Sequence, residues 1–467
     1  MVAELKVRLL ASVVVFAMTC PAAASERFYV KSDQLLEGLI REAIARRPEL
    51  AQATLLVAAE RERIPQAGAP PDPVLNLGIQ NDSFTQYSIG KMETSWYTIM
   101  IEQTIPWPGK LILRRDVVRF DPTLAEARLQ RVRFGVEAEV RRAYVGLILV
   151  RGQLRLLTKL EELWAKSEQI AKARYTVGEA PQSDLLRAQL ERTRLTQQRW
   201  SLAANESARV LALNRECGRS LDEPIAVETT LEEIDGALLP TRAEAFADAE
   251  ARSPELEQNR ISVMQSQRRV DLARSEWFPD FAVGAGVMPR GALAPMWQLT
   301  LGISLPVYGA IKQKRAVTEA DDRKQASSES EKALVQLLHL RTAERLLAMD
   351  VLARTNRLYR ETLLVQSEAT ATSELAEYRV GKVPFSSVLE ALTGYLADQF
   401  GYLESLAQAQ RVAISQFELS LDEVPGASIN VSGSSMTRAG AAGAASPTSV
   451  NAPDVTPSSP ASGMGSM

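Results

Sequence analysis

The chain repeats itself. Ala45-Arg46-Arg47-Pro48-Glu49-Leu50 recurs as Ala251-Arg252-Ser253-Pro254-Glu255-Leu256, and Pro71-Asp72 recurs as Pro279-Asp280. Ile105-Pro106 with Gly109 recurs as Leu305-Pro306 with Gly309. The run Arg174 to Gln189 recurs as Glu377 to Leu392, with Tyr175/Tyr378, Val177/Val380, Gly178/Gly381, Pro181/Pro384, Ser183/Ser386, Leu186/Leu389 and Ala188/Ala391 in place. The four offsets lie between 200 and 208 residues and keep one order along the 467-residue chain. Solenoid repeats have periods of about 20–50 residues, so these units are too long for one. The chain is two copies of one supersecondary plan, and any fold proposed for one half has to serve the other.

Each half reads as a helix, two strands, a very long helix, a turn and a long return helix. Residues 310–380 contain neither Gly nor Pro, and Leu334, Leu337, Leu338, Leu346, Leu347 and Val351 recur at helical spacing. One continuous helix over that span would be about 105 Å long. Globular helices are far shorter, so the pattern predicts a coiled coil or helical tube. The first half repeats this from Thr123 to Val177, with Asp121 expected as the cap and Pro122 as the first helical residue. Both long helices end at Tyr-x-Val-Gly, and Pro181 or Pro384 opens the return helix. The result is two helical hairpins with tips near 177–184 and 380–387.

The strands carry clean period-2 alternation. Trp297, Leu299, Leu301, Ile303 and Leu305 alternate with Gln298, Thr300, Gly302 and Ser304. Phe281 to Val287 and Leu75 to Gln80 show the same pattern, as does Tyr97 to Glu102, where Trp96 blurs it. Strands are expected at 74–84, 94–105, 281–288 and 296–305, joined by hairpin connections over Asp82 to Glu93 and Pro289 to Pro295. Their length is that of a transmembrane β-strand. Trp96, Trp107, Trp277 and Trp297 lie in or beside them, as expected of interfacial aromatic girdles. Pro70, Pro71, Pro73, Pro106, Pro108, Pro279 and Pro306 sit where helix becomes strand. Four strands cannot close a barrel, and open edges in lipid leave unpaired backbone groups. If the strands cross a membrane the chain has to oligomerise, and three copies would give twelve strands continued by a helical tube. The competing architecture is a soluble hairpin pair packed on a helical bundle.

Composition sets the outer bounds. The 54 Lys+Arg and 57 Asp+Glu give a net charge of −3, which lacks the basic footprint of a nucleic-acid binder. One His, His339, and two Cys cannot build a multi-histidine site or a zinc cluster. Neither a Ser/His/Asp set nor a nucleotide loop is present, so no catalytic residue, cofactor site or metal site is expected. Lys6 and Arg8, the apolar run Leu9 to Met18 and Ala22-Ala23-Ala24 read as a signal peptide over 1–24, cut before Ser25, with lipidation of Cys20 as the alternative. Cys217 then lacks a disulfide partner and reads as a buried hydrophobe. Repeats are expected over 25–220 and 241–425, joined by an acidic linker at 221–240. A Gly/Ala/Ser/Pro-rich tail over 426–467 is expected to be disordered. Met100, Met288 and Met296 fall on the polar phase of the strands, where they serve as packing or as a soft-metal path.

These residues resemble the TolC-type outer-membrane efflux family over about residues 30–424. The resemblance rests on the duplicated Arg-x-Pro-Glu-Leu opening, the paired Pro-Asp strand starts, Gln103-Thr104-Ile105-Pro106-Trp107-Pro108-Gly109-Lys110 and the two Tyr-x-Val-Gly tips. It implies a mainly α fold with a small β part. Helical hairpins would form a periplasmic α-barrel, and four strands per chain would enter a trimeric twelve-stranded barrel in the outer membrane of a Gram-negative bacterium. The partners it implies are two further copies, a periplasmic adaptor, an inner-membrane pump of the resistance-nodulation-division class and outer-membrane lipid. Pro106-Trp107-Pro108-Gly109-Lys110 and Pro71-Asp72-Pro73 are similar to the heavy-metal branch. The resemblance assigns gate roles to Asp184, Tyr378 and Glu390, with Arg187 and Lys382 as substitutes for missing family charges. Ser387 stands where the family often has an acid, and Val383 where some relatives have a base. It assigns adaptor docking to Val177, Gly178, Val380 and Gly381. The function implied is a passive exit duct, with a duct for drugs or secreted polypeptides, or a trimeric stalk or adhesin, as alternatives.

Overall fold

In a computed structural model that describes residues 33–234 and 240–423, the repeat is visible element by element. The expected signal peptide over 1–24 with Cys20, residues 235–239 of the expected linker and the expected tail over 426–467 lie outside the described residues. The first half runs α1 (Gln34–Arg46), α2 (Pro48–Gly68), β1 (Val74–Gln80), β2 (Trp96–Ile105), α3 (Lys110–Val118), α4 (Phe120–Thr176) and α5 (Gln182–Cys217). The second runs α6 (Arg242–Arg252), α7 (Pro254–Ser275), β3 (Phe281–Arg290), β4 (Leu293–Ile303), α8 (Gln313–Leu358), α9 (Leu364–Arg379) and α10 (Phe385–Glu418). No helix among the described residues is long and apolar enough to cross a membrane.

The opening helix of each half is two helices. Pro48 and Pro254 occupy the first helical position, and the residues before them are extended, Arg47 at ψ 126° and Ser253 at ψ 115°. Arg47 turns this break into a joint. It grips Glu49 at 2.9 and 3.1 Å and reaches both Glu139 and Glu216 at 2.6 Å. In the second copy, Ser253 accepts from the Leu256 N–H at 3.3 Å, and Glu255 pairs with Arg131 at 3.1 Å.

The long helices differ from expectation at both ends. α4 begins at Phe120, so Asp121 is not its cap. Asp121 instead accepts from Gln265 Nε2 at 2.7 Å, and Pro122 sits in the first turn, where an absent N–H costs nothing. The predicted 310–380 helix starts at Gln313 after turns, and a π-helical turn at Tyr359–Leu363 divides α8 from α9. Buried Val136, Val140, Tyr144, Leu147 and Ile148 of α4 meet Leu36 and Leu39 of α1, Leu213 of α5 and Leu406 of α10. A second core, from Leu157 and Trp164 to Phe385 and Val388, joins the two hairpins toward their tips.

The sheet order is β1-β2-β3-β4, antiparallel throughout. Its register keeps the alternation of all four strands in phase. Leu77, Ile99, Val287 and Trp297 form one row on the apolar face, and Asn76, Met100, Gly286 and Gln298 form one on the polar face. The apolar face is exposed. Strand ends shift from expectation. Asn81 ends β1 by taking loop groups, bonding the Gln86 carbonyl at 2.8 Å and the Ser88 N–H at 2.7 Å. β3 and β4 close over Gly291-Ala292, with Gly291 at φ 65°, and Pro289 is absorbed at a register shift between Met288 and Arg290. Of the four girdle tryptophans, Trp277 and Trp297 are exposed. Trp96 shares the polar phase of Thr98 and Met100, and Trp107 stacks on Phe278 and Phe281 at 5.2 and 5.8 Å. Met288 faces Met296 directly on the polar side, and Met100 faces Gly286.

Candidate functional site

Two places concentrate chemistry, the hairpin tips and the corner where strand becomes helix. At each tip the long helix closes in the same six-residue motif. Gly178 N–H bonds the Tyr175 carbonyl at 3.0 Å and Glu179 N–H bonds the Arg174 carbonyl at 2.9 Å. Gly381 and Lys382 do the same to Tyr378 and Glu377, both at 3.0 Å. The motif needs a left-handed residue, and Gly178 and Gly381 supply it at φ 79° and 78°. Val177 and Val380 stand before them, 69% and 67% exposed, so each tip ends in an apolar knob beside a glycine turn. Pro181 and Pro384, both extended, start α5 and α10.

Behind the knobs the two tips are tied together. Tyr378 is 1% exposed and leans on the Phe385 ring at 5.2 Å. Its hydroxyl donates to Asp184 Oδ2 at 3.2 Å, which links α9 to α5. Burial first, then the Asp184 charge and hydrogen bond, push the Tyr378 phenol up to about 12, so it stays a neutral donor at any physiological pH. Asp184 turns inward to Tyr378 rather than to Arg187, one helical turn along α5. Arg187, Lys382 and Glu390 are exposed, and among the described residues no side-chain ion pair joins them. The sequence reading missed Arg174. Its Nη1 donates to the Tyr378 carbonyl at 2.6 Å, Nη2 donates to the Glu179 carbonyl at 3.2 Å, and the guanidinium lies 4.8 Å over the Tyr378 ring. A signal was present, because Arg174 aligns with Glu377 at the head of the repeated run, a charge reversal between otherwise matching tips.

At the corner, Lys110 is 2% exposed at the start of α3. Its ammonium donates to the Phe278 carbonyl at 2.8 Å, Asp280 Oδ1 at 2.9 Å and Glu276 Oε2 at 3.3 Å. Asp280 also accepts from the Trp107 N–H at 2.9 Å. The Pro106-Trp107-Pro108-Gly109-Lys110 run of one half thus clamps the Pro279-Asp280 strand start of the other. This fixes how the sheet joins the helices.

The arrangement is a wall segment rather than a pocket. One sheet has an apolar outer face and two free edges, and a pair of long hairpins ends in matched tips. The comparisons with known proteins agree. The profile of the outer membrane efflux protein family matches residues 39–215 and 246–415, one stretch in each repeat. The cobalt-zinc-cadmium resistance protein CzcC of Cupriavidus metallidurans is 21% identical over 353 residues, 75% of this chain and 81% of that protein. The solved structure of the outer-membrane channel OprN superposes with a TM-score of 0.70 at 17% identity, over 84% of this chain and 91% of the other. That of CusC superposes at 0.69 and 18% identity, over 84% and 93%. With both repeats matched and the channel fold reproduced, the chain belongs to the outer membrane efflux protein family.

Proposed function

We propose that this protein is the outer-membrane exit duct of a three-part export machine that carries heavy-metal cations out of a Gram-negative cell. A member of this family is a passage and not a catalyst, so its work is to enclose, to open and to dock. The observation that carries the reading is the four-stranded sheet with in-phase faces and unpaired outer edges on β1 and β4. Such edges demand neighbours in lipid, and three copies close twelve strands with the polar face inward. Exposed Leu340, Leu347, Val351, Leu358 and Val365 on α8 and α9 recur at heptad spacing, which supports side-by-side packing of hairpins from different copies. The tips at Val177-Gly178 and Val380-Gly381 are the docking surface for an adaptor, and the Tyr378–Asp184 contact holds the periplasmic end closed. An inner-membrane pump supplies the energy. The likeness to CzcC supports metal cations as cargo.

The test is deletion of the gene followed by growth on cobalt, zinc, cadmium, copper, silver and a panel of drugs. Metal sensitivity restored by the wild-type gene is expected, and sensitivity to drugs alone would sink the metal assignment. For the gate, Asp184→Ala in a planar bilayer should raise closed-state conductance, and an unchanged trace removes Asp184 from that role.

A further inference from the structure

The two hairpin tips match in backbone and differ in what covers them. Gly178 has no heavy atom within 4 Å of where a Cβ would stand, whereas a Cβ on Gly381 would lie 3.0 Å from Arg174 Nη2. The φ angles are 79° and 78°, so the difference comes from the neighbour and not from the turn. That neighbour belongs to the other hairpin. Arg174 holds its own tip through the Glu179 carbonyl, and it holds the second tip through the Tyr378 carbonyl and ring. The same tyrosine bonds Asp184 through its hydroxyl. Arg174 Nε is buried without a hydrogen bond, 3.7 Å from the Glu179 carboxylate, so the grip is one donor short of complete. An unsaturated charged clamp across a bare glycine is a contact that can be let go.

We propose that Arg174 is a positioning residue that couples the second tip to the Tyr378–Asp184 contact: a partner hairpin seated on Gly381 displaces the guanidinium, and Tyr378 then loses the clamp that aims its hydroxyl at Asp184. The two tips are therefore unequal docking sites. The first offers an open glycine, and the second offers a glycine whose occupation releases the closing contact. This rests on the reading of the tips as docking surface and of Tyr378–Asp184 as the closing contact.

The experiment measures closed-state conductance of the full chain, assembled and purified, in planar bilayers, with thermal melting followed in parallel. The variants are Arg174→Ala, Arg174→Lys, Gly178→Ala, Gly381→Ala, Arg174→Ala/Gly381→Ala and Tyr378→Phe. The backbone strain of an alanine is matched at the two glycines, so Gly381→Ala should raise conductance severalfold more than Gly178→Ala. Arg174→Ala should shift the open-to-closed ratio about tenfold, the scale of one hydrogen bond to a charged group. Arg174→Lys, which keeps the charge and loses the fork and the stacking, should recover part of it. The double variant should open no further than Arg174→Ala alone, because both changes break one contact. Equal effects at the two glycines, additive effects in the double variant, or a drop in melting temperature without a conductance change overturns the coupling. If Arg174→Ala is silent while Tyr378→Phe opens the channel, the gate reading stands and the Arg174 role is wrong. If Tyr378→Phe is silent as well, both fall.

Discussion

Lys110 has Ala310 as its counterpart in the second half, and Asp280 has Asp72, so the ion pair that clamps the two halves occurs once in a duplicated chain. A buried ammonium with three acceptors tolerates no apolar substitute, because Asp280 would be left facing a methylene chain. Lys110→Met should cost about 2–3 kcal/mol, below the full penalty for breaking a buried pair because Asp280 keeps some water contact, and it should lower the melting temperature followed by helical circular dichroism. An unshifted melt would show that the corner is held by the Trp107 stack alone. Asp33 offers a second check. Burial raises its carboxyl, but hydrogen bonds from Thr229, Tyr144 and the Leu35 N–H outweigh burial and hold it below the ordinary 3.8. A depressed carboxyl adds stability at pH above its unfolded value, and that stability fades as pH falls through the folded one. The melting temperature of the wild type should therefore drop on acidification below about pH 4, and Asp33→Asn should be less stable at neutral pH and flatter in that window. Parallel curves would exclude Asp33 from acid sensitivity. Tyr378 and Asp184 were named through the family resemblance of the tips, which does not say that the two side chains meet. Arg174 with Tyr378 and Lys110 with Asp280 were not legible in the sequence, because these partners lie 204 and 170 residues apart and no local period records such a meeting.

Strands were the most readable elements. Alternation is a local signal, and the sheet needs it on every strand because one face is apolar throughout. Helix ends were less readable. Asp121-Pro122 has the composition of a cap, yet α4 begins two residues earlier because Asp121 is engaged by Gln265 of α7, a tertiary contact that overrides a local preference. The break in the long second-half helix left no trace in the residues 310–380, since Tyr359 to Leu363 contain neither Gly nor Pro. Its cause lies across the hairpin. The Tyr359 hydroxyl stands 2.8 Å from where a Cβ on Gly401 of α10 would be, so a glycine there lets the π-turn lie close. Two terms oppose each other in Gly401→Ala. Helix propensity favours alanine by about 0.5–1 kcal/mol, and overpacking costs about 1–3 kcal/mol. The clash should win, with net destabilisation of about 1 kcal/mol in denaturant unfolding. Adding Tyr359→Phe removes the atom in the way, and the double variant should then recover at least wild-type stability. If the double variant is as weak as the single one, the phenol is not what shapes this turn.

At the scale of the whole molecule, the register gives each strand two chemistries that differ by one residue. Leu299 lies in the apolar row with Leu75, Ile101 and Ala285, and Gln298 lies in the polar row with Asn76, Met100 and Gly286. In a soluble sheet packed on a helical bundle, the apolar row would be covered by the chain itself. Here Leu75, Leu299 and Leu301 remain among the most exposed leucines of the described residues, and within these the sheet pairs only with itself along its three seams. Closure of a barrel puts that row against lipid and the other against water. An arginine on the lipid side near mid-membrane costs about 2–4 kcal/mol, while one on the water-filled side can be hydrated. Every copy in an assembly carries the change, so a trimer bears it three times. Leu299→Arg should therefore abolish or sharply reduce folded, heat-modifiable oligomer in the outer membrane. Gln298→Arg, one residue away on the same strand and with the same added charge, should assemble at near wild-type yield and alter ion selectivity in a bilayer. Equal loss in both variants would mean that the two faces are not lipid and water. Equal tolerance would mean that the apolar face meets no membrane, and the free edges of β1 and β4 would then need a covering other than further copies of this chain.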